Sequence, residues 1–115
     1  MRVTRIVNGA GEVLVERCFV ADKPWSRMRG LLGRSGLASG EGLLLRPAGS
    51  VHTFFMRFAI DVVFLDRELS VVAVSAEVSP WRTAGARRAK TALELAAGEA
   101  ARLGIEPGMQ LRLAA

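Results

Sequence analysis

Apolar residues recur at every second position through most of this chain, in short runs cut by Gly, Pro, Asn and Asp. A period of two is the signature of side chains alternating across a pleated strand, so the pattern restricts the chain to a mainly β fold. Residues 3–7 (VTRIV) lead through the Gly-rich residues 8–11 (NGAG) into residues 12–20 (EVLVERCFV), which reads as a hairpin. Asp22 is placed to cap a short helix, with Pro24 in its first turn, Trp25, Met28, Leu31 and Leu32 on an apolar face, and Gly33 as its end. Residues 32–42 read as loop and residues 42–47 as a short strand closed by Pro47, while residues 68–78 form a long strand after a turn at 66–68. Residues 90–98 begin as a strand, residues 98–104 form a helical turn between glycines, and residues 109–114 return as a strand. The turn spacing predicts about seven to nine short strands. The expected architecture is a compact single-domain β-sandwich or small barrel, with one short helix in the N-terminal half and one short C-terminal helical turn.

At 115 residues the chain is long enough for one domain, residues 1–115, that buries about two thirds of its unfolded surface. A single cysteine, Cys18, excludes an intrachain disulfide framework and reads as a small buried hydrophobe in a strand. The N-terminal stretch lacks the apolar core of a signal peptide, and no run approaches the roughly 20 apolar residues of a membrane span. A soluble, cytoplasmic protein is the expectation. The net charge is +5, and all the basic residues but Lys23 and Lys90 are Arg. They are scattered, with a local cluster only at residues 82–90, and no zinc-finger, helix-turn-helix or RNA-binding pattern accompanies them. Scatter of this kind argues against a nucleic-acid partner.

The ordered blocks RMRGLLGR (residues 27–34), EGLLLRP (41–47), SVHTFFMRFAIDVVFLD (50–66), SPWR (79–82) and LELAAGEAARLGIEPGMQL (93–111) together resemble the domain of unknown function family 192, over about residues 19–113. The resemblance implies a single compact, mainly β domain with a jelly-roll-like fold, found in bacteria and archaea and without an established activity. Some members lie near pilus-assembly or secretion genes, which adds a protein-interaction role there to the readings. The family often has proline where this chain has Ala59, so the sharpness of a bend before Asp61 is open.

Residues 50–66 concentrate the only histidine and four of the five phenylalanines with Arg57, Asp61 and Asp66 in an otherwise apolar run. As one extended strand, residues 51–65 would place His52, Phe54, Met56, Phe58, Ile60, Val62 and Phe64 on one face, and Thr53, Phe55, Arg57, Ala59, Asp61, Val63 and Leu65 on the other. A strand of that length is unusual, so a bend around residues 58–60 is predicted, giving two strands that wrap a corner. The second half, IDVVFL, reads as a strand buried on both sides.

Asp61 in that buried strand needs a partner, because an unpaired carboxylate there costs several kcal/mol. Arg57, Arg29, Arg82 and backbone N–H groups are the choices, and Arg57 lies roughly 13 Å away along a straight strand. His52 and Thr53 follow a Gly49–Ser50 loop, where a histidine beside a hydroxyl can contact a ligand, act as a base or pack against backbone. Trp81 and Arg82 end the long strand, placed either to stack on a ligand or to pack over the end of the fold. Glu94 alternates with Leu93 and Leu95, so it faces away from them and is placed where an Arg across the sheet could meet it. Gly30 and Gly33 suggest close backbone approach, or a helix that plugs the end of the barrel.

One His and one Cys leave a zinc site dependent on at least two carboxylates from Asp61, Asp66, Glu41 and Glu94, so neither a metal nor another cofactor is expected. The chain lacks a GxSxG elbow, a zincin pair, a P-loop and a dinucleotide fingerprint. Two classes of function remain. The favoured one is a non-catalytic binding or accessory module that holds a small polar ligand or a protein partner in a pocket around His52, Thr53, Arg57, Asp61, Trp81 and Arg82. The alternative is a small hydrolase or lyase with His52 or Asp61 as general base. The two diverge on geometry, since a shared cleft for His52 and Asp61 favours chemistry and separate sides disfavour it. Oligomeric state is not readable from the sequence.

Overall fold

The period-two segments become nine strands, seen here in a computed structural model that describes residues 1–114 and leaves the Met28 side chain outside the described residues. They are β1 (Arg2–Asn8), β2 (Val13–Ala21), β3 (Glu41–Leu45), β4 (Ser50–His52), β5 (Ile60–Leu65), β6 (Val71–Val78), β7 (Thr83–Gly85), β8 (Thr91–Ala96) and β9 (Leu111–Ala114), with two short helices, α1 (Pro24–Arg29) and α2 (Glu99–Arg102). Seven strands form one sheet in the order β6-β5-β8-β3-β2-β1-β9, and β4 pairs with β7 in a separate ribbon. All pairings are antiparallel except β2 with β3. The large sheet curls into a half-barrel. Its two outer strands approach at one end, where Ser70 bridges to Gln110 and the Val71 N–H donates to the Met109 carbonyl at 2.8 Å. The architecture is therefore the mostly β, small-barrel type with two short helices that the turn spacing predicts.

Both faces of the sheet are covered. One core, enclosed by the curl, joins Ile6, Val15, Leu44, Val63, Leu93, Leu95 and Leu111 with Ala100 of α2. The second core, on the opposite face, joins Leu31, Leu43, Leu45, Met56, Ile60, Val62 and Phe64, with Val51 of β4 and Ala84 of β7 packed against it. This double cover is why every residue of β5 is buried, as its unbroken apolar run predicts. Cys18 lies fully buried in the first core, and burial pushes its thiol up to about 12, so it is an inert packing residue.

Three local expectations are corrected. The helix is capped at Lys23, not Asp22, because Pro24 takes the first helical position; the Lys23 N–H donates to Ser26 Oγ at 3.2 Å while Asp22 reaches Arg2 at 4.0 Å. Gly30, not Gly33, ends it, with φ 49°. Only Leu31 and Leu32 of the expected apolar face reach the core; Trp25 is 69% exposed, and Met28 lies outside the described residues. Residues 51–65 do divide between two strands in different sheets, but the break is longer than the bend expected around residues 58–60. The first half contributes only to the three-residue β4, residues 53–59 are irregular, and β5 begins at Ile60. The bend before Asp61 forms without a proline at Ala59.

Candidate functional site

Asp61 resolves into backbone chemistry. In the pairing of β5 with β6, Ile60 opposes Val78 and Val62 opposes Ser75, so Ala76 and Glu77 both sit across from Asp61 in a bulge. Glu77 adopts φ 51° there, and its N–H donates to Asp61 Oδ1 at 2.8 Å. The N–H of Ala100, in the only turn of α2, donates to Oδ2 at 2.8 Å. The carboxylate thus holds α2 against the sheet, and no Arg takes part. Because Asp61 opposes Leu95 in register, it belongs to the enclosed face.

Thr53 is fully buried and ties the chain to residues 79–82. Its hydroxyl donates to the Ser79 carbonyl at 2.6 Å and accepts the Arg82 N–H at 2.9 Å, while the Trp81 N–H donates to the Thr53 carbonyl at 3.0 Å. The aromatic side chains around this knot form a shelf. His52 stacks on Phe54 at 4.9 Å, Phe54 on Trp81 at 5.9 Å, and Phe55 meets Trp81 edge-on at 4.6 Å. Phe55 and Trp81 stand in the left-handed region, φ 66° and 65°, a conformation that costs a bulky residue about 1–2 kcal/mol. Trp81 is nevertheless 55% exposed. The Arg57 and Arg82 side chains are exposed and enter no ion pair among the described residues.

A cleft of about 210 Å³ opens beside this shelf, between the C-terminal end of α1, the end of β3, β4 and β8. His52 reaches it; Thr53, Arg57, Asp61, Trp81 and Arg82 do not line it. Five of the six residues singled out from sequence therefore divide between a cleft mouth, a structural knot, an aromatic shelf and the far face of the sheet, and Arg57 is exposed outside all four. His52 and Asp61 do not share a cleft.

The cleft also contains polar residues outside that set. Arg27 and Arg29 stand at its α1 side, and Glu94 of β8 lines it at 4% exposure. Glu94 lies opposite Leu43 on β3 and Val62 on β5, so no Arg meets it across the sheet. Its carboxyl has no hydrogen-bond partner among the described residues, and burial pushes it up to about 7. The signal in the sequence was the acidic residue between Leu93 and Leu95 in a strand with apolar neighbours on both sides. The helix ending RMRG carried the arginines, but only the fold brings it to β8. Gly30 and its neighbours edge the cleft from the second-core face. No group of three or more His, Cys, Asp or Glu is arranged to hold a metal ion among the described residues, and no helix among them is long and apolar enough to cross a membrane.

Comparison with known proteins agrees on fold and family. The model of the DUF192 family, described as "Uncharacterized ACR", matches residues 5–113. A UPF0127 protein of Thermococcus sibiricus is 36% identical over 76 residues, 63% of this chain and 49% of its own length. The aligned part thus spans about half of that curated relative. A crystal structure of a protein of unknown function from Novosphingobium aromaticivorans superposes with a TM-score of 0.81 at 24% identity, over 96% of this chain and 83% of that one. A protein of Sinorhizobium meliloti, proposed to be a transcription regulator, superposes with a TM-score of 0.82 at 24% identity, over 96% and 92%.

Proposed function

The chain belongs to the DUF192 family, and from that premise we propose that it is a non-catalytic binding or accessory module, working as one domain, whose cleft beside α1 holds a small polar ligand. The observation that carries this reading is Glu94. Glu94 is 4% exposed and has no hydrogen-bond partner among the described residues, yet no fully buried side-chain oxygen there lacks one, so its carboxyl oxygens reach the cleft surface, where a ligand can bond to them. The volume, about 210 Å³, falls below the roughly 300–1,000 Å³ usual for drug-sized ligands and suits a small metabolite. Arg27, Arg29 and His52 give the mouth its polar contacts, and the neighbouring shelf of Phe54 and Trp81 offers a flat apolar surface. A reducing compartment such as the cytoplasm fits the lone buried thiol of Cys18.

A thermal-shift screen against metabolites and metal ions tests the reading with wild type, His52→Ala and Glu94→Leu. A compound at about a hundredfold its Kd adds about 2.7 kcal/mol, a rise of several degrees in Tm. That rise is expected for wild type and should shrink in both variants. A wild type that no small compound stabilises removes the reading, and capture of a protein partner becomes the better experiment.

One observation favours acid–base chemistry as a second reading. A carboxyl raised to about 7 in a cleft is suited to transfer a proton at neutral pH, which makes Glu94 a better general acid or base for a small hydrolase or lyase than the doubly bonded Asp61. Turnover of a bound compound, lost in Glu94→Gln with binding intact, is the result that would establish it.

A further inference from the structure

The polar groups that face the cleft say what kind of ligand it takes, an inference that rests on the binding reading above. Arg27 Nη1 donates to the carbonyl oxygens of Asp22 and Arg46, at 3.4 Å each, which fixes the guanidinium at the α1 side. Arg29 is exposed beside it and enters no ion pair among the described residues. His52 Nδ1 accepts the Phe54 N–H at 3.3 Å, so the proton of the neutral ring sits on Nε2 and the ring offers a donor. Glu94, without a partner, offers an O–H donor when protonated. Burial is what raises its pKa, and no ion pair or hydrogen bond joins it to Arg27 or Arg29 among the described residues. Arg27, Arg29 and His52 are the other titratable groups of the cleft, and the strands flanking Glu94 present only Leu43 and Val62 to it. With Glu94 neutral, each of these four titratable side chains is a donor. No carboxylate among the described residues competes for the arginines.

We propose that the cleft binds a small free carboxylate, whose oxygens accept hydrogen bonds from Arg27 and Arg29 at the mouth and from the Glu94 carboxyl as an O–H donor within. Two guanidiniums and a neutral acid complement an anion in both charge and hydrogen-bond direction. Once ionised, Glu94 becomes an acceptor and a like charge, and it repels the same ligand. The ligand therefore binds together with one proton. Below about pH 7 its affinity is level, and above that pH it falls about tenfold per pH unit.

Calorimetric titration of the full chain with lactate from pH 5.5 to 8.5 tests this, with lactamide as the uncharged control. The expected result is a loss of about twentyfold in lactate affinity between pH 6.5 and 8.5, as one proton linked near pH 7 requires, and binding of lactamide at least tenfold weaker at pH 6. Glu94→Gln keeps a neutral donor and should bind lactate with a pH profile flat within twofold. His52→Ala should retain the fall, which assigns the pH dependence to Glu94 and not to the histidine of the same cleft. A flat profile in wild type, equal binding of lactamide, or a folded Glu94→Gln that binds no lactate would each overturn the proposal. N-acetyl-alanyl-alanine binding tenfold more tightly than lactate would move the carboxylate to a protein C-terminus and overturn the free-acid form. Stabilisation by neutral or cationic compounds alone overturns this inference and leaves the binding reading standing, whereas no response to any class overturns both.

Discussion

Asp61 on β5 and Glu94 on β8 are buried carboxyls one strand apart, and they point to opposite faces of the same sheet. On the enclosed face, a bulge and a helix turn aim two N–H groups at Asp61, each 2.8 Å away. On the other face, Glu94 sits under a cleft with no protein partner, and its carboxyl rises to about 7. The first carboxyl is completed by its own chain and holds the fold together. The second has no hydrogen-bond partner among the described residues and faces a cleft, which is why the binding reading proposed above rests on it.

Replacing each acid by its amide sharpens the contrast, because the signs are opposite. Asp61→Asn turns an amide NH₂ toward a backbone N–H and loses a charge-assisted bond. With bonds to charged groups contributing about 1.5–3 kcal/mol each, a loss of about 3–5 kcal/mol in urea unfolding is expected, and α2 amides should exchange faster. A loss below about 1 kcal/mol would remove the distinction between the two faces.

Glu94→Gln should stabilise the protein at pH 8. The rise from 4.5 to about 7 means the folded state holds a proton that the unfolded state releases, so wild-type stability falls as pH climbs through that window and then levels off. At about 1.4 kcal/mol per tenfold this amounts to about 3 kcal/mol. The amide variant should lack that decline, as denaturant titrations at pH 5 and pH 8 would show.

Thr53→Val tests whether the knot that carries the shelf is structural in the same sense as Asp61. It removes the hydroxyl that bonds Ser79 and Arg82, for an expected loss of about 1–3 kcal/mol. Trp81→Ala, at the exposed shelf, should change stability by less than about 1 kcal/mol, since its stacking energy is offset by the exposure of the ring. A larger loss would make the shelf part of the core and not a surface for a ligand.

The strand content was legible because local alternation and turn residues report it directly, and IDVVFL announced its double burial through an unbroken apolar run. Residues 53–59 were less legible. HTFFMRF alternates like a strand and contains no Gly or Pro, yet Thr53 bonds to residues 79–82 and Phe55 turns left-handed, so a contact distant in sequence overrides the local pattern. Asp61 was recognisable as needing a partner, but the choice between an Arg and backbone amides depended on the β6 bulge. Glu94 was visible as an acid between leucines. That its face is covered follows only from β8 lying between β5 and β3, and that Arg27 and Arg29 lie near it follows only from the packing of α1.

The curl of the large sheet bears on self-association. An outer strand with unpaired N–H and C=O groups is a template for a strand of another chain. Here the two outer strands are engaged where Ser70 meets Gln110, and the bulge opposite Asp61 twists β6 away from a flat edge. That engagement is confined to one end, so most of β6 and β9 keeps one side without a strand partner among the described residues.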